Sequence, residues 1–176
     1  PVLIQPMSYE DAVVKMVDTN LHREQISFSE KAFAYRMKNE ALKQKVGRKK
    51  GQSGQQKKGK KTIEIIGEEF GDSPKQVQRY IAVTRLIPEL LQKLDQGEIS
   101  FNPAVEISAL TKEEQRELLE AMNYAQSTPS VSQAQRIKKL SKAGELTKKH
   151  MEDILSEIKK GEVTRVEFNN VLSSTL

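Results

Sequence analysis

The sequence predicts an all-α fold, a multi-helical domain containing a helix-turn-helix. Three observations support that expectation. Apolar residues recur at helical spacing, as in Met151, Ile154, Leu155 and Ile158, and not in alternation. Helix-start signals recur, with Ser or Thr followed three residues later by Glu or Gln: Ser27 with Glu30, Thr111 with Glu114, Ser130 with Gln133. The composition, with charged residues at 30% and many Leu, Ile, Glu, Lys and Gln, suits a mostly helical chain.

Pro1 to Pro6 (PVLIQP) is a short apolar stretch that reads as the tail of a strand. Ser8 with Asp11 opens a helix through Ala12, Val13, Met16 and Val17. The polar stretch Asp18 to Ser27 follows, with His22 beside Arg and Glu. The only other histidine, His150, is remote in sequence, so no metal is expected. Ser27 and Glu30 cap a second helix to about Val46, with Phe33, Met37 and Ala41 as its apolar seam and Lys43 and Lys45 near the negative end of the helix dipole. Gly47 to Lys61 (GRKKGQSGQQKKGKK) contains no large apolar residue and is expected to be a flexible basic loop.

Ile63 to Leu86 is the stretch on which the chain is organised. Ile63, Ile66 and Phe70 share one helix face. Gly67 is small where a second helix would cross closely, and Gly71 supplies the positive φ that ends a helix sharply. Ser73 is the N-cap of the second helix, Pro74 its first residue and Gln76 the partner in a capping box. Val77 and Tyr80 or Ile81 turn inward, which leaves Lys75, Gln78 and Arg79 outward. Arg and Lys donate to guanine O6 and N7, and Gln pairs with adenine N6 and N7, so this is the chemistry of major-groove readout. Asp72 occupies a turn position that is often apolar in such motifs.

Beyond it, Thr84 to Leu94 reads as a helix with Pro88 in its first turn, closed by Gly97. Phe101 to Leu110 reads as a short helix with Asn102 as N-cap and Pro103 at the first position. Thr111 with Glu114 caps a helix to about Asn123. STPS, Ser127 to Ser130, is a break, and Ser130 with Gln133 caps the next helix, ending at Gly144. Thr147 opens a last helix whose apolar stripe reads as core, stopped by Gly161. The tail from Val163 has weak alternation at Val166 and Phe168.

Several function classes are set aside by composition. With 176 residues the chain makes one domain or two small ones. It has no Cys, so it forms no disulfide or Cys-ligated zinc site and fits the reducing cytoplasm. No apolar run approaches the ~18 residues of a membrane span. From Lys43 to Lys61 there are nine basic residues and no acidic one; these exceed the whole net charge of +5, so the rest of the chain is mildly acidic. A local positive field beside a helix-turn-helix attracts phosphate, and Arg48, Lys49 and Lys50 are the candidate clamp.

Laid out in this order, the chain resembles the ParB family of partition proteins, most of all ParB-like proteins of mobile elements in Gram-positive bacteria. TNLHREQI, Thr19 to Ile26, resembles the family's ENLQREDL box. SEKAFAY, Ser29 to Tyr35, resembles the helix that follows it. The helix-turn-helix and IPELLQKLDQGEISFNPAVEISAL resemble the central DNA-binding domain, whose GHA triplet falls at Asn102 to Ala104. The resemblance implies residues 1–27 as the end, or remnant, of the N-terminal domain, 28–125 as the DNA-binding domain with its basic loop at 47–61, and 126–176 as a helical C-terminal extension. It implies a palindromic, centromere-like double-stranded DNA site, a homodimer, a ParA-type ATPase partner and a cytoplasmic, nucleoid-associated protein. It also implies CTP with magnesium in the intact protein, gripped in part by Asn20, Arg23 and Glu24. The family's Arg-rich nucleotide box would fall before Pro1, and Thr19 stands at the usual metal-binding Glu position; no cofactor and no catalysis are therefore expected of this chain itself. The expected DNA contacts are Ser73, Lys75, Gln76, Gln78, Arg79 and Asn102, with Arg48, Lys49 and Lys50 on phosphate. The rival expectations are a transcriptional regulator of the same fold, a CTP-hydrolysing DNA clamp and a helical adaptor whose basic loop is only a linker.

Overall fold

Most helices start where a neighbouring side chain satisfies their first amide groups. The computed structural model describes residues 6–21, 26–49 and 60–157, and every regular element within them is an α-helix, as expected for the all-α class. The strand expected at Pro1–Pro6 lies almost wholly outside the described residues, as do His22, the segment 50–59, Ile158, Gly161 and the tail from Val163.

Helix α1 (Tyr9–Leu21) opens at Ser8, whose Oγ accepts from the Asp11 amide at 3.2 Å. Its Val13 and Val17 pack against Ala34 and Ala41 of α2 (Phe28–Lys49). The Ser27 capping box forms: the Ser27 amide donates to Glu30 Oε2 at 3.0 Å, and the Glu30 amide to Ser27 Oγ at 3.2 Å. The seam expected along α2 is corrected in part. Ala41 is buried, but Phe33 and Met37 remain 41% and 39% exposed. Helix α2 is sandwiched, with α1 on one flank and α3 and α4 on the other, so its buried surface divides between Ala34 and Ala41 on one side and Ala32 and Tyr35 on the other. The helix also runs to Lys49, past Gly47 where the basic loop was expected to begin. Lys and Arg are good helix formers, and propagation adds a hydrogen bond per residue despite the glycine.

Helices α3 (Thr62–Phe70) and α4 (Pro74–Val83) form a tight pair beside α2. The helix expected over Thr84–Leu94 starts later, as α5 (Pro88–Asp95). Proline pushes its predecessor out of the helical region, and Ile87 is extended at φ −70°, ψ 155°. Gln115 then takes up the Ile87 amide at 2.8 Å. Helix α6 (Phe101–Ile107) is capped at Ser100 and not at Asn102, and Pro103 sits within the first turn, where no amide is needed. Helices α7 (Lys112–Ala125), α8 (Val131–Ala143) and α9 (Lys148–Ser156) start at Thr111, Ser130 and Thr147 as expected, each with its hydroxyl accepting from the amide three residues on.

One hydrophobic core runs from Ala32 of α2 to Leu155 of α9, so α8 and α9 share the interior of α2–α7. Met151, Ile154 and Leu155 are buried within it, as the stripe on α9 predicted. Full burial of each Leu, Ile or Met contributes about 1.5–3 kcal/mol, against roughly 0–1 kcal/mol for a surface pair such as Arg116–Glu113. Packing therefore decides where the helices sit. Gln115 of α7 is fully buried in this core; its amide donates to the Leu110 carbonyl at 3.0 Å and the Arg85 carbonyl at 3.2 Å, holding the turns before α5 and α7 together.

Candidate nucleic-acid interface

The α3–α4 pair is built around one close approach. A Cβ on Gly67 would lie 2.4 Å from the Asp72 carbonyl oxygen, so only glycine lets the turn fold back on α3. The sequence suggested a crossing helix at this point; the neighbour is the turn's own backbone. Gly71, at φ 71°, reverses the chain, and the Asp72 amide donates to the Gly67 carbonyl at 2.9 Å.

Asp72 has a specific role in the turn. Its carboxylate accepts from Tyr35 Oη at 2.7 Å and from Lys31 Nζ at 2.9 Å, both on α2. Lys31 Nζ also lies 4.8 Å from the centre of the Tyr80 ring of α4. Burial pushes the Asp72 carboxyl upward, but the Tyr35 and Lys31 contacts outweigh it and hold the group below its ordinary value. Burial first, and then the bond to Asp72, pushes the Tyr35 phenol well above its ordinary value, so it stays a donor. An apolar residue in this position would pack; aspartate ties the turn to α2 by directed bonds. Lys31 and Tyr35 stand 37 or more residues from their partner, so no local signal in the sequence marks them.

Helix α4 is held from behind and open in front. Ser73 Oγ accepts from the Gln76 amide at 3.2 Å, and Pro74 occupies the first position. Val77, Tyr80 and Val83 are buried, while Lys75 and Gln78 are exposed. Positions 75, 78 and 79 fall at i, i+3 and i+4, so they share one stripe. Gln76 does not complete the expected capping box; its Oε1 accepts from Arg79 Nη1 at 3.0 Å. Arg79 Nη2 donates to Asn102 Oδ1 of α6, and the guanidinium carbon lies 5.1 Å from the centre of the Phe101 ring. Asn102, expected to cap α6, is thus joined to the α4 stripe through Arg79.

On the other side of α4, Gln78 lines a groove of about 470 Å³ with Lys43 of α2 and Lys61, the residue preceding α3. Both lysines belong to the basic stretch, which therefore borders the α4 stripe at its two ends. Arg48 and Lys49 fall in the last turn of α2, and Lys50 lies outside the described residues.

The residues expected to hold a nucleotide are brought together only in part. Asn20 lines a groove of about 350 Å³ between α1 and α2, with Met16, Ile26, Phe33 and Met37 among its walls. Arg23 and Glu24 lie outside the described residues. Among the described residues that line the groove there is no Lys or Arg, and the one charged wall residue is Glu30. A triphosphate needs cations, and the described walls offer none. Thr19 Oγ1 donates to the Lys15 carbonyl at 2.9 Å, within its own helix. Among the described residues no group of His, Asp and Glu is arranged to hold a metal ion, and no helix is long and apolar enough to cross a membrane. No family model matches the chain, and no curated protein matches it.

Proposed function

We propose that the chain is a sequence-specific double-stranded DNA-binding protein of the ParB partition type, in which α3 and α4 act as a helix-turn-helix and α4 enters the major groove. One observation carries the proposal. Exposed Lys75 and Gln78 and half-buried Arg79 form a single stripe on a helix whose other face is anchored by Val77, Tyr80 and Val83. A stripe of this width matches the three or four side chains by which a recognition helix reaches base edges. Lys43 and Lys61 beside Gln78 supply positive charge where flanking phosphates would pass. A palindromic site bound by a homodimer, a ParA-type ATPase as partner and association with the nucleoid in the cytoplasm belong to the same proposal. Nucleotide binding is kept apart from it: among the described residues the groove beside Asn20 offers a triphosphate no cation.

The test begins with a genome-wide footprint of the intact protein. Anisotropy titrations then compare the recovered site with a scrambled duplex over a range of salt. Arg79→Ala is expected to cost about 1–3 kcal/mol on the site and little on the scrambled duplex. Neutralising Lys49 and Lys50 should weaken both alike and flatten the salt slope by about 0.9 per lost phosphate contact. Equal losses on both duplexes from Arg79→Ala would remove base readout from α4.

A further inference from the structure

Arg79 has an unusual setting for a side chain free to meet a ligand. Three groups restrain its guanidinium before any ligand arrives. Gln76 Oε1, one turn back on α4, accepts from Nη1 at 3.0 Å. Asn102 Oδ1, from α6, accepts from Nη2. The Phe101 ring lies 5.1 Å away, and that ring is itself fixed against Tyr80 at 4.7 Å and Phe28 at 5.5 Å. A free arginine loses about 2 kcal/mol of rotamer entropy when it is fixed, and a restrained one has lost much of it before the ligand binds. Guanidinium has five N–H donors; these two bonds leave three, enough for a bidentate contact.

Asn102 suits this task and is poorly placed for others. It does not cap α6, since Ser100 occupies that position and the N-terminus carries no side-chain cap bond. It is exposed, so core packing does not account for its contact with Arg79.

We propose that Asn102 is a positioning residue for Arg79. By this account α6, outside the α3–α4 pair, sets which base pair Arg79 reads, and the base is a guanine contacted at O6 and N7. The inference rests on the DNA-binding proposal above and deepens it. Asn102 acts through Arg79 and touches no base itself.

The experiment is selection from a library of randomised duplexes, carried out with the full chain, Arg79→Ala, Asn102→Ala, Asn102→Asp and the Arg79→Ala/Asn102→Ala pair. Thermal midpoints are recorded for each. The unaltered chain should enrich one motif in which a guanine is preferred about 5- to 150-fold at one position. Arg79→Ala should abolish that preference. Asn102→Ala should reduce it at the same position by at least about threefold, and the pair should lose no more than Arg79→Ala alone. Asn102→Asp keeps the acceptor and should keep the guanine preference, while its negative charge lowers affinity for every duplex.

Several results would overturn the inference while leaving DNA binding intact. Asn102→Ala could flatten a different position, which would make Asn102 a base reader. It could lower affinity for all sequences alike with the motif unchanged, which would make it merely structural. It could also leave the selection untouched. If the unaltered chain enriches no sequence at all, the DNA-binding proposal fails, and this one fails with it.

Discussion

Gly67→Ala tests the geometry on which the candidate interface depends. In an ordinary helix interior this substitution stabilises by about 0.5–1 kcal/mol, because alanine loses less backbone entropy. Here the new Cβ would sit 2.4 Å from the Asp72 carbonyl oxygen and 3.4 Å from the Pro74 nitrogen. Ordinary contact at native packing density would require the carbonyl to retreat by about 1 Å. It is backbone, so it cannot swing aside as a side chain would. Its retreat strains the 2.9 Å bond from the Asp72 amide to the Gly67 carbonyl and draws the Asp72 carboxylate away from Tyr35 and Lys31. Overpacking costs about 1–3 kcal/mol and a lost hydrogen bond about 1 kcal/mol. Set against the helix gain, the net effect is destabilisation by about 1–3 kcal/mol, or roughly 2–4 °C in Tm for each kcal/mol. Urea unfolding followed by far-ultraviolet circular dichroism measures it. Gly71→Ala serves as the comparison. It meets no atom but must hold φ at 71°, and should cost about 1–2 kcal/mol for the left-handed conformation alone. An unchanged or higher midpoint for Gly67→Ala would show that the turn does not approach α3 so closely.

Because the Asp72 carboxyl is held below its ordinary value, its contribution is present in full above the unfolded value of about 4 and is lost as pH falls through the lower folded value. Asp72→Asn should therefore flatten the acid limb of the urea midpoint plotted against pH, and an unchanged limb would refute the contact. Tyr35→Phe should cost about 1–2 kcal/mol by removing one donor to that carboxylate, read from the same unfolding curves. Lys38 is buried on α2, bonded to Asp18 of α1 and, at 2.6 Å, to Glu69 of α3, whose side chains are 27% and 39% exposed. Asp18→Asn with Glu69→Gln strands a buried ammonium and should cost about 3–5 kcal/mol. Lys38→Met leaves carboxylates that water can reach and should cost less than half of that; the reverse order would refute it. Gln115→Leu removes an acceptor from the Ile87 amide and donors from two carbonyls, and should lower the unfolding free energy from the same curves by about 2–4 kcal/mol.

Five helix starts were legible in the chain because capping is local, while those of α5 and α6 were misplaced. Ser27, Ser73, Thr111, Ser130 and Thr147 each bond within three residues, so the signal and its consequence lie in one short window. The inward face of α4 was equally legible, since Val77 and Tyr80 are the only large apolar side chains of its first two turns. Where two faces compete for burial, sequence was a weaker guide. On α2, Phe33 and Met37 looked like core, yet the Ala faces won, because α1 on one flank and α3 and α4 on the other cover those faces and leave the larger side chains on an open groove.

The sequence alone thus determined the fold class, the caps at Ser27, Ser73, Thr111, Ser130 and Thr147, the reversal at Gly71 and the exposure of Lys75 and Gln78 on α4, all of which depend on spacing along a few residues. Only the tertiary structure decided that Asp72 is tied to Lys31 and Tyr35, that Lys38 binds two other helices, and that Arg79 is held by Asn102 on α6. Those bonds join residues 20 or more positions apart. A directed bond of that kind exists only after packing has brought its two ends within about 3 Å, and no local pattern encodes which ends will meet.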